Sequence, residues 1–309
     1  MAAFDLITLD RAEQNIPISS PNTSIVNTLI TACSKGIVRH CQREFVQAAY
    51  DELYSGFGDR RLYLRHFPII SVQSVRYRPV TVLKIINNDT NTNQQARVAV
   101  TSVGITLQRV ASGVSSIDTT SVTFASYLTL QAVGSAINAL GNGWSAQVVG
   151  DSNNYGNWPS FDLWVPNGDI YDPNGQGQGM LTAAGQNAEL KMHTYELAGY
   201  QWDAARGWLL RAIPYTDPEL LHPEDLVWPV GINNFRVQYT AGFATVPEDV
   251  QEACAQWVAE LYWQTQRDPG LKSEVIPSSV TRTPVSSMTP GIIELLMPYR
   301  AHKILSPGS

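Results

Sequence analysis

Charge is scarce in this chain. Asp, Glu, Lys and Arg make up 16% of its 309 residues, below the roughly one quarter of an ordinary soluble domain, and Ser, Thr, Asn, Gln and Gly fill the shortfall. Positive charge is the scarcer sign: 21 Lys and Arg stand against 27 Asp and Glu, a formal net charge of −6. That balance argues against a protein that holds nucleic acid by its phosphates, which needs a basic patch. It leaves open a surface that DNA slides past. Long apolar runs are also missing. The longest uncharged stretch, residues 119–150, is studded with Thr, Ser, Gln, Asn and Gly, so no membrane span is expected. Residues 1–10 have neither the basic start nor the apolar run of a secretory signal. The triplets Asn22-Thr23-Ser24 and Asn88-Asp89-Thr90 therefore read as chance matches to a glycosylation pattern.

Reactive groups are equally thin. The three cysteines, Cys33, Cys41 and Cys254, are an odd number without paired spacing, which reads as buried free thiols in a reducing compartment. The five histidines (His40, His66, His193, His222, His302) are scattered, and none stands at metal-ligand spacing from another His or Cys. His40 and Cys41 are adjacent on a helix and so point different ways. There is no GxSxG elbow and no P-loop. The run Gly175-Gln176-Gly177-Gln178-Gly179 does not bridge a strand and a capped helix. Asp169, Asp172 and Asn174 lack the remaining ligands of a calcium loop. Glu224-Asp225 lies between prolines and reads as a solvated pair. The expectation is no catalytic residue, no metal and no cofactor.

What the chain does have is architecture. Its best-specified stretch is 239–270, YTAGFATVPEDVQEACAQWVAELYWQTQRDPG. Phe235, Val237 and Tyr239 alternate with Arg236 and Gln238, the period of a half-buried strand. Gly242 permits a sharp turn. Thr245 and Glu248 have capping-box spacing, and Pro247 suits a first helical turn. Val250, Ala253, Cys254, Trp257, Val258 and Leu261 then mark one face of a helix over 247–267.

At the other end, Thr8 caps a short helix. A long helix over 21–42 buries Val26, Leu29, Ile30, Cys33, Ile37 and Cys41, with Gly36 in its middle suited to close helix packing. Val46–Tyr54 and Arg61–Arg65 read as a β-hairpin around a turn at 55–59, followed by a strand at 72–77. Between the ends, short β-type runs alternate with Gly/Asn/Ser turns: 80–86, 97–100, 105–110, 122–124, 147–149, 161–165, 190–195 and 208–213. One helix capped by Thr129 (Leu130, Val133, Ile137, Leu140) interrupts them. Such spacing suggests a sandwich or small barrel. Residues 172–179 read as a flexible tip. Residues 273–290 read as an extended linker, and a short helix carrying Ile292, Ile293, Leu295 and Leu296 follows, closed by Pro298. The class is α+β: a small helical core built from both chain ends (1–78 and 235–309), with a large β-rich domain inserted over 79–234.

The order of these pieces carries a resemblance. A short helix, a long helix ending RHCQREF, Tyr50-Asp51-Glu52, Leu62-Tyr63-Leu64, Phe67-Pro68-Ile69-Ile70-Ser71-Val72 and, much later, YTAGFATVPEDV are similar to the head–tail connector (adaptor) proteins of tailed bacteriophages. The resemblance covers about residues 5–78 and 235–300. The stretch 136–146 also resembles longer members with an inserted β domain. The family implies a structural role without catalysis: a virion neck protein, made in the host bacterial cytoplasm, whose copies form a ring of about twelve beneath the portal protein. Such a ring extends the channel for double-stranded DNA and offers a platform to a tail-completion or second adaptor protein, with no membrane involved. Pro68, Tyr239, Gly242 and Pro247 are the structural motif positions. Trp263, Met288, Ile292, Leu296, Tyr299 and Arg300 are the expected ring or portal contacts, and removing 288–309 is expected to impair docking while the subunit stays folded. An acidic subunit suits a channel that DNA traverses without sticking. The alternatives are a carbohydrate- or receptor-binding virion component, whose Trp144, Trp158, Trp164, Trp202 and Trp208 would stack sugars, and a completion protein of other symmetry.

Overall fold

The computed structural model describes residues 4–16, 22–118, 122–150, 155–165, 180–183, 187–211, 226–265, 274–276, 280–282 and 288–300. The fold is α+β. The N-terminal helices are α1 (Leu9–Glu13) and α2 (Thr23–Cys41). Thr8 caps the first, its side chain accepting from the Arg11 N–H at 3.2 Å, and α2 stops where Gln42 turns left-handed at φ 54°.

Strands β1 (Ala48–Gly56), β2 (Arg61–Tyr63) and β3 (Ile69–Asn87) follow, then β4 (Asn93–Val100), β5 (Ile105–Ala111) and β6 (Val114–Ile117). Next come α3 (Leu130–Ala139) and β7 (Trp144–Val148), a 3-10 turn at Ser160–Leu163, β8 (Met180–Ala183), β9 (Asn187–Glu196), β10 (Tyr200–Asp203), β11 (Trp208–Arg211) and β12 (Gly231–Ala241). The chain closes with α4 (Glu248–Thr265), β13 (Glu274–Ile276), β14 (Val280–Arg282) and α5 (Pro290–Leu296).

Among the described residues the strands form four antiparallel sheets. The largest has the order β1-β12-β3-β7, with β9 on β3 as well. The others are β6-β5-β4-β8, β10-β11-β2 and the pair β13-β14. β3 is the spine. Its first half pairs with β12 (Ile69↔Ala241 to Tyr77↔Phe235), and its second half with β7 on that same edge (Leu83↔Val148 to Asn87↔Trp144). β9 runs along the other edge from Arg76 to Ile86. Pro79 falls in the gap between β12 and β7, where the lack of an N–H costs no ladder bond on that edge.

Among the described residues three hydrophobic cores form. The helical core joins both ends: Val26, Ile30, Cys33, Ile37 and Cys41 of α2 pack on Val250, Ala253, Cys254 and Val258 of α4 and on Ile292 and Leu296 of α5. At Gly36 a side chain would overlap the Trp257 ring, so the glycine is what lets α2 and α4 approach closely. Arg11 of α1 is bonded to Glu252 (3.0 Å) at the start of α4. A second core lies under the β3–β7–β9 region, where Val82, Leu83, Ile85 and Leu190 meet Val98 and Leu107 of the β4–β5 pair and Val133 and Ile137 of α3. The third lies between one face of β12 (Phe235, Val237, Tyr239) and the small sheet, through Leu62, Leu209 and Trp228.

Several expectations are corrected. Arg61–Tyr63 does not fold back on β1; it pairs with β11 (Leu62↔Leu209), and β1 pairs with β12 instead. The reason is burial: this places Leu62 and Leu209 on the apolar face of β12, which a local hairpin would not cover. Residues 161–165 are not a strand, because Ser160–Leu163 forms a 3-10 turn. The run 122–124 contributes only the bridge Gly104↔Thr123. The boundary drawn at 78/79 falls inside β3, which passes it with Arg78 in the left-handed region (φ 62°). The segment read as a linker contains the β13–β14 hairpin. The glycine-rich tip, the aspartates of the calcium reading, His222, Glu224-Asp225 and His302 lie outside the described residues.

Candidate interface and its buried polar clusters

The segments that carry the sequence motif converge at one junction of sheet and helices. Pro68 follows a cis peptide bond, and its carbonyl accepts from the Gly242 N–H at 2.9 Å. Gly242 has φ 109°, and a Cβ there would strike the Val46 carbonyl, so both its conformation and the close backbone approach require glycine. Tyr239 is fully buried three residues earlier. Pro247 lies just beyond and caps α4: its carbonyl accepts the first helical bond from Gln251 (3.0 Å), so Glu248 is the first helical residue. The capping-box spacing from Thr245 is thus offset, and Gln251 Nε2 instead donates to the Val246 carbonyl at 2.7 Å.

Glu52 of β1 is buried in this junction and accepts hydrogen bonds from the Tyr54 and Tyr239 hydroxyls (2.5 and 2.7 Å), with His66 Nε2 at 3.6 Å and Arg65 at 3.4 Å. Burial disfavours its charge, but the hydrogen bonds from His66, Tyr54 and Tyr239 more than offset that and hold its pKa down to about 2. Burial and the adjoining carboxylate push both tyrosine hydroxyls far above their ordinary value. The cluster is therefore a fixed carboxylate with two permanent donors. The His66 ring stacks on Tyr50 at 3.8 Å.

The opposite face of the same strands carries a second cluster. Arg236 is 2% exposed and grips Asp51 of β1 with two parallel bonds (2.8 and 2.7 Å). It also donates to the Asp162 carbonyl (2.8 Å). Gln238 donates to Asp51 at 2.9 Å. Nearby, His193 of β9 bonds the Asn233 carbonyl at 2.9 Å; burial is the main cause that drops its pKa to about 4.

Around the chain's C-terminal turn, Arg43 lies over the Phe67 ring at 4.2 Å, with Phe243 and Phe45 at 5.2 and 5.6 Å, and donates to the Phe67 carbonyl at 2.6 Å. Tyr299 closes this cage edge-on to Phe45 (6.1 Å).

The residues expected at a ring or portal contact divide. Trp263 is 47% exposed and Arg300 is exposed, whereas Met288 and Tyr299 are half-buried. Ile292 and Leu296 are completely buried in the subunit's own helical core, because the apolar stripe of α5 is used against α4. They are not surface contacts in this fold. Removing 288–309 would therefore open the core, contrary to the expectation that the subunit stays folded. Of the tryptophans read as possible sugar platforms, Trp144 is buried and Trp158 and Trp164 pack on the middle core, while Trp202 is 45% exposed.

All three cysteines are free and buried; burial pushes the Cys41 thiol up to about 11 and Cys254 to about 12. Among the described residues no group of three or more His, Cys, Asp or Glu is placed to hold a metal ion, and no helix is long and apolar enough to cross a membrane.

Sequence reasoning missed the Glu52 and Arg236 clusters. The signal was present, since Asp51-Glu52 and Arg236 are charges inside runs that otherwise read as half-buried strand.

No family model matches the chain, and no curated protein does. Among solved structures it is similar to a chain from the virion of a native gene transfer agent (GTA) particle, with 10% identity and a TM-score of 0.41 over 99% of this chain and 94% of that one. It is also similar to a chain from the neck of an empty GTA particle computed with C6 symmetry, at 11% identity and a TM-score of 0.39 over 99% and 95%.

Proposed function

We propose that this protein is a structural head–tail connector of a tailed bacteriophage or phage-like particle. Its copies form a ring of about twelve beneath the portal, extend the DNA channel and present a platform to the next tail component. One observation carries the reading. The two sequence segments that resemble connectors are separated by more than half the chain, yet they interlock: β12 lies between β1 and β3, and α4 packs on α2. The resemblance thus falls on one physical unit rather than on scattered strings. The middle β region is the departure from that unit, and in this reading it reaches a partner that shorter connectors do not touch.

Rigidity suits the role. A subunit whose sheet is cross-linked on one face by Arg236, Asp51 and Asp162 and on the other by Glu52 and two tyrosines repeats around an axis without deforming. Trp263, Met288, Tyr299 and Arg300 remain the proposed contacts to neighbouring copies or the portal; Ile292 and Leu296 support them from inside. Electron microscopy of the particle that carries this chain tests the proposal. A ring of this chain between portal and tail is the expected result, and density for it on the tail shaft, a fibre or the capsid shell overturns it.

A further inference from the structure

Beside the Arg43 cage lies an open cleft of about 600 Å³ onto which four arginines converge: Arg43 after α2, Arg65 after β2, Arg206 in the β10–β11 turn and Arg300 after α5. Among the described residues no carboxylate lines it. Beside it, buried Glu52 lies 3.4 Å from Arg65 and Asp203 lies 3.7 Å from Arg206. In a chain of net charge −6, this is a local reversal of sign. We propose that the cleft binds a carboxylate-rich peptide segment of a partner protein. The inference stands whether or not the chain is a neck component.

The geometry selects carboxylates over nucleic acid. Single strands are held by stacking bases on free aromatic faces. Here guanidinium groups already lie against those rings: Arg43 is 4.2 Å from Phe67, and Arg61 and Arg206 are 4.2 and 5.3 Å from Trp208. A guanidinium stacked on a ring keeps its in-plane N–H groups for a planar acceptor, which a carboxylate matches with two parallel bonds. Double-stranded DNA is a convex rod and presents its phosphates outside a concave site of this size. Leu64 and Pro298 give the cleft an apolar wall for the side chains between the acids.

The test is fluorescence anisotropy with the full chain and a labelled peptide of alternating Glu and Leu. Controls are its Gln-for-Glu counterpart and short single- and double-stranded oligonucleotides. The acidic peptide should bind, weaken with salt, and lose about tenfold or more in affinity with the double change Arg206→Glu and Arg300→Glu. Lys35→Glu, on an exposed part of α2, should leave binding unchanged. Both cleft arginines are exposed, so the double variant should melt like the parent; if it does not, Arg206→Gln alone should still weaken binding. Any of four results overturns the proposal: no binding of the acidic peptide, equal binding of the Gln peptide, undiminished binding by the variants, or an oligonucleotide that binds more tightly and depends on the same arginines.

Discussion

Arg76 of β3 and Arg236 of β12 stand directly opposite each other in the antiparallel register, and the Asp162 carboxylate lies against both, 2.8 Å from Arg76 and 3.6 Å from Arg236. Facing like charges destabilise a sheet; Asp162 offsets this between the two arginines, alongside Asp51 on Arg236 and Glu196 on Arg76. It also ties the middle of the chain to the β1–β12–β3 sheet.

Asp162→Ala should therefore destabilise the protein by about 1–3 kcal/mol, less than the cost of stranding a buried charge outright, because Arg236 keeps Asp51 and Arg76 keeps Glu196. Adding Arg76→Met to that variant should recover part of the loss, because one of the two facing like charges is then gone. Urea denaturation of the single and double variants measures both. Full additivity of the two changes would show that Asp162 does not screen this pair.

Acid should act in two successive windows that overlap only between about pH 4 and 4.5. His193 titrates near 4 in the folded chain and ordinarily near 6.5. Its neutral form is favoured by folding, so its contribution is complete above 6.5 and is lost as pH falls toward 4. Glu52 titrates near 2 against an ordinary 4.5, so its contribution is complete above 4.5 and is lost between there and 2. Each shift corresponds to a stability change on the order of 3 kcal/mol. His193→Gln should flatten the upper window alone and Glu52→Gln the lower one alone, as read from urea midpoints across pH. A variant that flattens the other's window contradicts the assignment.

The residues at and around helix α5 divide into core positions and proposed contacts. Ile292→Ala and Leu296→Ala should each cost about 2–5 kcal/mol, because both side chains are completely buried. Trp263→Ala and Arg300→Ala lie at exposed positions and should stay within about 0.5 kcal/mol of the parent, so a loss of assembly in those two would report contact rather than folding. Thermal melting of the isolated chain distinguishes the sets.

Gly36→Ala would ordinarily strengthen a helix by about 1 kcal/mol. Here the new methyl overlaps the Trp257 ring, and overpacking should make the change destabilising by about 1–3 kcal/mol. In a Trp257→Leu background the penalty should vanish or reverse. Calorimetric melts of the four combinations decide it; an equal effect of Gly36→Ala in both backgrounds would mean that the ring moves aside freely.

Local chemistry was readable where it was self-contained. Thr8 and Thr129 announced helices because a capping side chain bonds a backbone N–H three residues away. The stripes on α2 and α4 announced a shared helical core because the apolar period was 3.6 in both. Gly242 and Pro68 were singled out separately, and a backbone hydrogen bond joins them, while the positive φ and the close Val46 carbonyl are what require glycine. Pairing was harder to read. Arg61–Tyr63 looked like the return arm of a hairpin, but its partner is β11, nearly the whole middle of the chain away. Nothing local encodes that choice, since any antiparallel neighbour satisfies the same alternation.

The sequence by itself determined where helices start and which of their faces are apolar, because these follow from covalent neighbours and periodicity. Only the tertiary structure decided which strands meet, that β3 runs unbroken through both sheet regions, that Ile292 and Leu296 face inward, and that Asp51, Arg236 and Asp162 form one buried cluster. Those outcomes depend on burial and charge compensation between residues far apart in the chain, and such terms acquire a value only once the surfaces are brought together.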